Sequence, residues 1–302
     1  MAMALSYFGT NYTQEQTAVY MKPNAEDRNV TPEEMAAYVN EETDLQAIPR
    51  ANGDLETVRR LLAADIPVVL HVGIDPPGDF SWMGWYGHYL LAIAYDDELE
   101  QFWVYDSWFG TSEEPLQNAS TEGRALPYAE LEERWTAFNG NYIPTYRPDQ
   151  AEAVATIIGD DMDDDVMWAR TLETVQADTQ ANPENAFHWF NLGTVYTALG
   201  QYDEAVLAYD QARAIGLPWR MLWYQFGPYE AYYANGRYED VIFLADTTLK
   251  DRPYFEESFY YRGIAHAAMG NSADARRDLE DAIEFNPNHA LAKEALGIMN
   301  NE

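Results

Sequence analysis

Regularly spaced prolines are the feature of this sequence that most restricts its fold. Four prolines in the second half are separated by 35, 35 and 34 residues: Pro183, Pro218, Pro253 and Pro287. Three glycines recur with nearly the same period: Gly200, Gly236 and Gly270. A period near 34 residues is typical of a two-helix unit. One such unit cannot bury its own apolar side, so the C-terminal half is predicted to be an all-α solenoid of stacked units.

The first of these units resembles the tetratricopeptide repeat. The residues that match the pattern of that repeat are Trp189, Leu192, Gly193, Tyr196, Ala205, Tyr209, Ala212 and Pro218. The match is also strong from Pro253 to Pro287, whereas the middle unit has two extra residues and Val241 where alanine is usual. We therefore expect about three repeats within residues 167–302, ended by a capping helix at residues 289–299.

The resemblance also suggests where the array would bind a partner. The register of the repeat family places Phe190, Tyr224 and Tyr260 on the concave face, where such arrays hold peptides. Exposed rows of aromatic residues mark binding surfaces. The alternative is that these rings fill the core between the helices, as most aromatic residues do. Because few cations accompany this face, basic or apolar peptides fit its charge better than carboxylates.

Residues 87–110 predict two paired β-strands in the N-terminal half. An apolar strand, His88 to Tyr95, is followed by an acidic turn and a second strand, Phe102 to Tyr105. His88 begins the first strand and Asp106 follows the second, so their side chains can meet across neighbouring strands. A carboxylate there fixes the tautomer of an imidazole and stabilises its cation, as in hydrolases. The alternative is two ordinary polar residues at strand ends.

The same stretch resembles the bacteriocin-processing, double-glycine type of papain-like cysteine peptidase. The matching motifs are Gly87-His88-Tyr89, Val104-Tyr105-Asp106-Ser107 and Asp65-Ile66-Pro67-Val68-Val69-Leu70. The resemblance covers residues 1–147 and implies an α+β fold in which helices pack on an antiparallel sheet. It also implies peptide hydrolysis by a Cys-His-Asp triad, with His88 and Asp106 as its second and third members. The similar stand-alone relatives are secreted or membrane-attached, which favours an extracytoplasmic location for the full-length form.

The nucleophile of that family is missing from this sequence. The family has a Cys-Gly-Pro motif at the start of its first helix, whereas this chain contains no cysteine. The first nine residues resemble the body of that helix, but no capping residue precedes them. We therefore expect an N-terminally truncated chain that is inert as a peptidase, because Ser6 and Ser81 lie in no nucleophile elbow. The alternative is a non-catalytic interaction scaffold with a decayed peptidase fold.

A loop rich in glycine, proline and tryptophan precedes His88. Long loops in compact domains are often functional, so this one is expected to form a lid or a wall of the substrate groove. The aromatic residues expected to line the groove or lid are Trp82, Trp85, Tyr86 and Trp108. Trp108 is also expected to shield the His–Asp contact. The alternative is a loop that only covers the sheet, and His71 is expected to be a core residue.

The strong acidity of the chain restricts its partners. The net charge is 18 − 51 = −33, shared by both halves, which argues against nucleic acid and anionic membranes. No apolar run is long enough to span a bilayer. Expected partners are a peptide or protein substrate and a protein bound by the repeats. No histidine pair has ligand spacing, and the acidic run 160–165 lacks the glycine and glutamate of a calcium loop. No metal or cofactor is therefore expected, and residues 148–166 are predicted to be an acidic helical linker.

Overall fold

The computed structural model describes residues 1–75, 81, 84–106, 123–218 and 220–300. Internal contacts divide the chain into two compact units. The first unit consists of Met1–Thr17 and Pro32–Pro183, and the second consists of Ala18–Thr31 and Glu184–Glu302. A stretch of the N-terminal half is therefore part of the second unit. The domain limits expected from the sequence (1–147, 148–166 and 167–302) remain a prediction.

An antiparallel sheet organises the first unit. Its strands, within the described ranges, are β1 (Gln46–Ala47), β2 (Val68–Ile74), β3 (Tyr86–Asp96), β4 (Gln101–Asp106), β5 (Arg124–Pro127) and β6 (Tyr142–Tyr146). The spatial order is β1-β6-β2-β3-β4-β5. The central strand β2 is buried along its whole length, and its sequence is apolar except for His71. The predicted antiparallel sheet of the α+β fold is confirmed.

The strands β3 and β4 form the hairpin that the sequence predicts. In its register Leu90 lies opposite Asp106, and Val72 of β2 lies opposite His88. The register shifts beyond Ala92, where a β-bulge interrupts the ladder. The end of the hairpin that carries His88 and Asp106 therefore keeps the regular alternation of side chains between the two faces.

Seven α-helices precede, separate or follow these strands along the chain up to residue 183, within the described residues. They are α1 (Ala2–Tyr7), α2 (Gln14–Met21), α3 (Pro32–Glu42), α4 (Leu55–Ala63), α5 (Tyr128–Trp135), α6 (Ala151–Ile158) and α7 (Asp164–Ala181). Helix α4 shows why they form where they do. The Asp54 carboxylate accepts a hydrogen bond from the backbone N–H of Thr57 at 2.6 Å and caps the helix. Val58 and Leu61 are fully buried one turn apart, so α4 packs one apolar face against β2 and β3.

The acidic run around residue 160 is ordered by local contacts. Asp163 caps α7 by accepting a hydrogen bond from the N–H of Val166 at 3.1 Å. Arg170, two turns along α7, pairs with Asp160 and Asp161 at 2.8 Å each. These contacts attach the run to the start of α7. None of the helices in the described ranges combines the length and apolar character needed to cross a membrane.

The second unit contains the predicted helical repeats. Its helices after residue 184 are α8 (Ala186–Ala198), α9 (Tyr202–Ile215), α10 (Gly227–Ala234), α11 (Tyr238–Asp251), α12 (Glu256–Ala268), α13 (Ser272–Phe285) and α14 (Ala290–Met299). Gly200, Gly236 and Gly270 join the helices of each pair with φ of 69°, 74° and 81°, a region that favours glycine. At Gly193 a Cβ would lie 2.6 Å from the Tyr209 ring, so α8 and α9 approach closely. The predicted solenoid of helix pairs is confirmed.

Candidate active site

His88 and Asp106 meet as the sequence suggests. Asp106 lies opposite Leu90, and His88 precedes Leu90 by two residues, so all three side chains share one face of the sheet. The Nε2 atom of His88 lies 2.8 Å from Oδ1 of Asp106, within hydrogen-bond distance. The side chains are 11% and 2% exposed, respectively. The pair is therefore formed by strand register and largely shielded from water.

Arg124 is a third member of this cluster, and no pattern in the sequence indicated it. It begins β5 and lies opposite Val104, which places it on the same face as Asp106. Its Nη2 atom donates a hydrogen bond to the second carboxylate oxygen of Asp106 at 3.3 Å. A buried carboxylate needs a partner that compensates its charge, and Arg124 supplies one. The parity of β4–β5 pairing could have revealed Arg124, but a short strand such as β5 gives little sequence signal.

The geometry assigns different tasks to the two imidazole nitrogens of His88. Asp106 is an acceptor, so Nε2 is the nitrogen that donates a proton to it. In the neutral imidazole this leaves Nδ1 with a free lone pair. Nδ1 is thus the atom that can accept a proton from a reacting group. A carboxylate in the position of Asp106 can hold the ring in place and stabilise an imidazolium.

His71 lies on the other face of the sheet. It pairs with Tyr89, one residue from His88, so the alternation of side chains separates the two histidines. Its ring stacks on Tyr89 at 4.2 Å and on Phe138 at 3.5 Å between centroids. Burial, with a smaller contribution from the charge of His88, lowers the pKa of His71 well below its ordinary value. The prediction that His71 is a core residue is confirmed.

The four aromatic residues expected near the active site do not share one location. Tyr86 lies on the face of His88, with its ring edge-on to the imidazole at 5.9 Å between centroids. Trp85 is 9% exposed and stacks on Phe138, next to His71 on the opposite face. Trp82 and Trp108 lie outside the described residues. Tyr86 is therefore the described member of this set that contacts His88.

The aromatic residues expected in a peptide groove of the repeats also differ in exposure. Phe190 is 2% exposed and packs edge-on against Tyr209 at 5.1 Å. Its ring is thus part of the core between α8 and α9. Tyr224 and Tyr260 are half-buried and pack against the apolar cluster around Trp223. These two tyrosines keep some exposed surface for a ligand.

A set of carboxylates elsewhere has the spacing of a cation site. Carboxylate oxygens of Asp27, Glu256 and Glu257 lie within 4.8 Å of one another. Among the described residues, these three form a group with enough ligand atoms for a metal ion. The ammonium group of Lys22 lies among them, 3.0 Å from Glu256 and 3.3 Å from Asp27. The charge that a metal ion would compensate there is thus partly compensated by a side chain.

Comparisons with known proteins agree with this architecture. Residues 1–143 match the family model described as "Peptidase_C39 like family". Residues 179–206 and 256–289 match models of the tetratricopeptide repeat. The chain therefore contains a Peptidase_C39-like domain followed by tetratricopeptide repeats. The N-terminal domain is thus peptidase-like, and a module of tetratricopeptide repeats follows it.

Individual relatives cover only parts of the chain. Aryl-hydrocarbon-interacting protein-like 1 of Bos taurus is 25% identical over 107 residues, which are 32% of this chain and 33% of that protein. The protein of the same name from Saimiri boliviensis boliviensis is 24% identical over 107 residues, 32% of this chain and 29% of that protein. The chain thus spans about a third of the length of the curated relatives it matches.

Two solved structures illustrate the likeness to known repeat proteins. MamA is 16% identical, with a TM-score of 0.41, over 48% of this chain and 83% of MamA. YrrB, a tetratricopeptide-repeat protein, is 17% identical, with a TM-score of 0.24, over 47% of this chain and 88% of YrrB.

Proposed function

We propose that the N-terminal domain provides the His–Asp part of a cysteine-peptidase centre. The observation that carries this proposal is the 2.8 Å contact between Nε2 of His88 and Asp106 on one face of the sheet. The match of residues 1–143 to the Peptidase_C39-like family supports the same reaction class. Nδ1 of His88 would accept the proton of a thiol, and the thiolate would attack the peptide carbonyl carbon. The imidazolium would then return that proton to the leaving amine.

Asp106 and Arg124 would act by positioning in this reaction. Asp106 would hold the proton of Nε2 and stabilise the imidazolium after proton transfer. Arg124 would orient Asp106 and compensate its charge through its contact with the other carboxylate oxygen. Tyr86 would restrict the rotation of the imidazole by its edge contact. Each of these tasks requires only residues that the sheet register brings together.

The chain with this sequence would not cleave peptides by this route. It contains no cysteine, so the thiol would have to come from outside the given sequence. A histidine and a carboxylate without a nucleophile can orient water or a ligand, but they cannot form an acyl-enzyme. We therefore expect no thiol-dependent cleavage by this chain alone.

The test compares this chain with the natural protein isolated from its source. N-terminal sequencing shows whether the natural protein carries a cysteine, and a peptide mixture analysed by mass spectrometry shows cleavage. We expect cleavage by a cysteine-bearing form, loss with iodoacetamide, and loss in His88→Ala. The matched control is His188→Ala, in the repeats. Cleavage by the present chain, or full activity of the cysteine-bearing His88→Ala protein, would contradict the proposal.

A second candidate is a non-catalytic interaction scaffold. The absence of cysteine from this sequence favours it, because the His88–Asp106 pair then has no thiol from this sequence to activate. In that case the His88–Asp106–Arg124 cluster would serve stability alone. A natural protein that lacks cysteine and cleaves no peptide would support this function over the first.

The repeats would bind a peptide or a protein. The half-buried rings of Tyr224 and Tyr260 offer apolar surface, and the acidity of the chain favours basic or apolar ligands over acidic ones. We expect Tyr224→Ala and Tyr260→Ala to weaken capture of a basic peptide, measured by fluorescence anisotropy. Leu207→Ala on α9, an exposed residue, is the control. Equal binding by all three variants would refute this groove.

A further inference from the structure

A lysine from the N-terminal half is buried in the repeat unit. Residues 18–31, which we call the strap, belong by their contacts to the second unit. The Lys22 side chain is 3% exposed, although lysine is among the residues least often buried. It is one of only three lysines in the chain, and the other two, Lys250 and Lys293, are exposed. Its position therefore calls for a specific set of partners.

The repeats supply two carboxylates to this lysine. Glu256 and Glu257 are the first two residues of α12, where the helix dipole favours negative charge. The Lys22 ammonium lies 3.0 Å from Glu256 and in closer contact with Glu257. Asn286, after α13, donates a hydrogen bond to Glu256 at 3.2 Å and fixes that carboxylate. These three residues of the array, Glu256, Glu257 and Asn286, are here called the lysine pocket.

The strap adds two more polar contacts. Asn24 donates to the other oxygen of Glu256 at 3.0 Å and to the backbone carbonyl of Tyr254 at 2.7 Å. These hydrogen bonds hold the strap in one register on α12. The pocket thus recognises a lysine followed two residues later by an amide, which is a pattern that another peptide can also present.

Asp27 makes the strap an imperfect ligand for this pocket. It lies 3.3 Å from Lys22 and is 2% exposed, so it brings a third buried carboxylate to a single ammonium. Burial raises the pKa of Asp27 despite the attraction of Lys22, and the charge of Glu256 raises it further. The carboxylate oxygens of Asp27, Glu256 and Glu257 lie within 4.8 Å of one another, and like charges at that distance repel each other. A peptide with the same lysine and no acidic residue there would avoid that repulsion.

We infer that the repeat array carries a lysine-binding pocket, which the strap occupies with Lys22 and for which a lysine-bearing partner peptide competes. The pocket discriminates by charge and length, since an ammonium on a four-carbon stem reaches two buried carboxylates at once. The strap then limits access to the pocket, because a partner must displace it. A partner with acidic residues near its lysine would compete poorly.

The experiment measures binding of a labelled peptide that copies residues 18–31 with the change Asp27→Asn, which keeps the lysine and removes the repelling carboxylate. Anisotropy titrations use the full chain, the Lys22→Met variant and the Lys250→Met variant, which changes an exposed lysine instead. We expect the peptide to bind Lys22→Met at least about tenfold more tightly than the other two proteins, because the strap there lacks its lysine. A second peptide with methionine in place of its lysine should lose this difference.

Equal affinity for the three proteins, or undiminished binding of the methionine peptide, would overturn the inference. A second measurement covers the case in which Lys22→Met does not fold. Hydrogen exchange of the unmodified chain is recorded with and without saturating lysine peptide. Faster exchange of strap amides on addition of that peptide supports displacement, whereas unchanged exchange contradicts it.

Discussion

Two buried charge clusters, one in each unit, stabilise their carboxylates in different ways. In the sheet, one carboxylate, Asp106, has His88 on one oxygen and Arg124 on the other. In the repeats, three carboxylates share the ammonium of Lys22. The first cluster can compensate its negative charge completely, whereas the second has an excess of negative charge. A cluster short of cations lowers its energy by retaining a proton.

The pKa values of Glu256 and Glu257, which share the ammonium of Lys22, are shifted in opposite directions. Burial alone would raise the pKa of Glu256, but Lys22 and the hydrogen bond from Asn24 outweigh it and lower that pKa. For the neighbouring Glu257, burial prevails over Lys22 and raises the pKa to about 8. The repeat cluster therefore responds to pH near neutrality. In the sheet cluster, each oxygen of Asp106 contacts a separate nitrogen-bearing side chain, which fixes the orientation of that carboxylate.

The largest expected effect follows from removing the shared cation. Lys22→Met leaves buried carboxylates without their ammonium, and breaking a buried pair costs about 3–5 kcal/mol. We expect the free energy of unfolding of the second unit to fall by that amount, measured by urea denaturation with hydrogen exchange of α12 as the local probe. Lys250→Met should change it by less than about 0.5 kcal/mol. Equal effects would show that the cluster does not support the unit.

The pH dependence of stability is the next largest effect. Above the ordinary pKa of 4.5 the unfolded Glu257 loses its proton, whereas the folded side chain keeps it up to about pH 8. The unfolded state thus binds fewer protons, so the free energy of unfolding falls as pH rises. The contribution of the proton on Glu257 to stability is lost as pH rises through about 8. Between pH 6 and pH 8 we expect a loss of about 2 kcal/mol, from about 1.4 kcal/mol per unit. Burial also lowers the pKa of nearby His289 from its ordinary value.

Glu257→Gln is the control for that pH dependence. It removes the titrating group while keeping the shape of the side chain, so its stability should be nearly constant between pH 6 and pH 8. Denaturation curves at pH 6, 7 and 8 for both proteins provide the comparison. An equally steep decline in Glu257→Gln would assign the pH dependence to another group.

An effect of about the same size is expected from Asp106→Asn in the sheet cluster. The amide cannot compensate Arg124 or accept two charge-assisted hydrogen bonds, and such losses cost about 2 kcal/mol. The exposed Asp149→Asn is the matched control. Thermal unfolding of the first unit, followed by near-UV circular dichroism, measures the difference. If the two variants are equally stable, the His88–Asp106–Arg124 cluster contributes nothing to the fold.

The smallest expected effect is that of Arg124→Gln. Its hydrogen bond to Asp106 is long, 3.3 Å, and the side chain is 20% exposed, so solvent replaces part of the interaction. We expect a loss of about 1 kcal/mol, against no measurable change for the exposed Arg60→Gln. A loss as large as that of Lys22→Met would remove the contrast between the two clusters.

Local patterns in the sequence predicted most of the architecture. The 34-residue period, the turn glycines and the hairpin of residues 87–110 each depend on neighbours in the chain. The His88–Asp106 contact could be predicted because both residues flank one hairpin. The separation of Trp85 from His88 could also have been predicted. Trp85 directly precedes β3, and the alternation of that strand, extended by one residue, places Trp85 on the face opposite His88.

Other features depend on long-range pairing and left no local pattern. Arg124 reaches Asp106 through β5, a strand of four residues that periodicity cannot detect. Lys22 and Glu257 are 235 residues apart, and each looks like an ordinary solvated charge in its own segment. Only the folded chain shows that they share a buried site. The burial of Phe190 likewise depends on how closely α8 approaches α9.

The strap also affects how this protein can exchange parts during evolution. Its repeats are not encoded as one uninterrupted segment, because Ala18–Thr31 lies within the N-terminal region of the sequence. A recombination event that moved residues 184–302 to another gene would leave their lysine behind. The transferred repeats would then expose two adjacent carboxylates that had been paired, and the donor would retain a lysine without its partners. The repeats of this chain therefore cannot be transferred as residues 184–302 alone without loss of these contacts, although they are built from similar units.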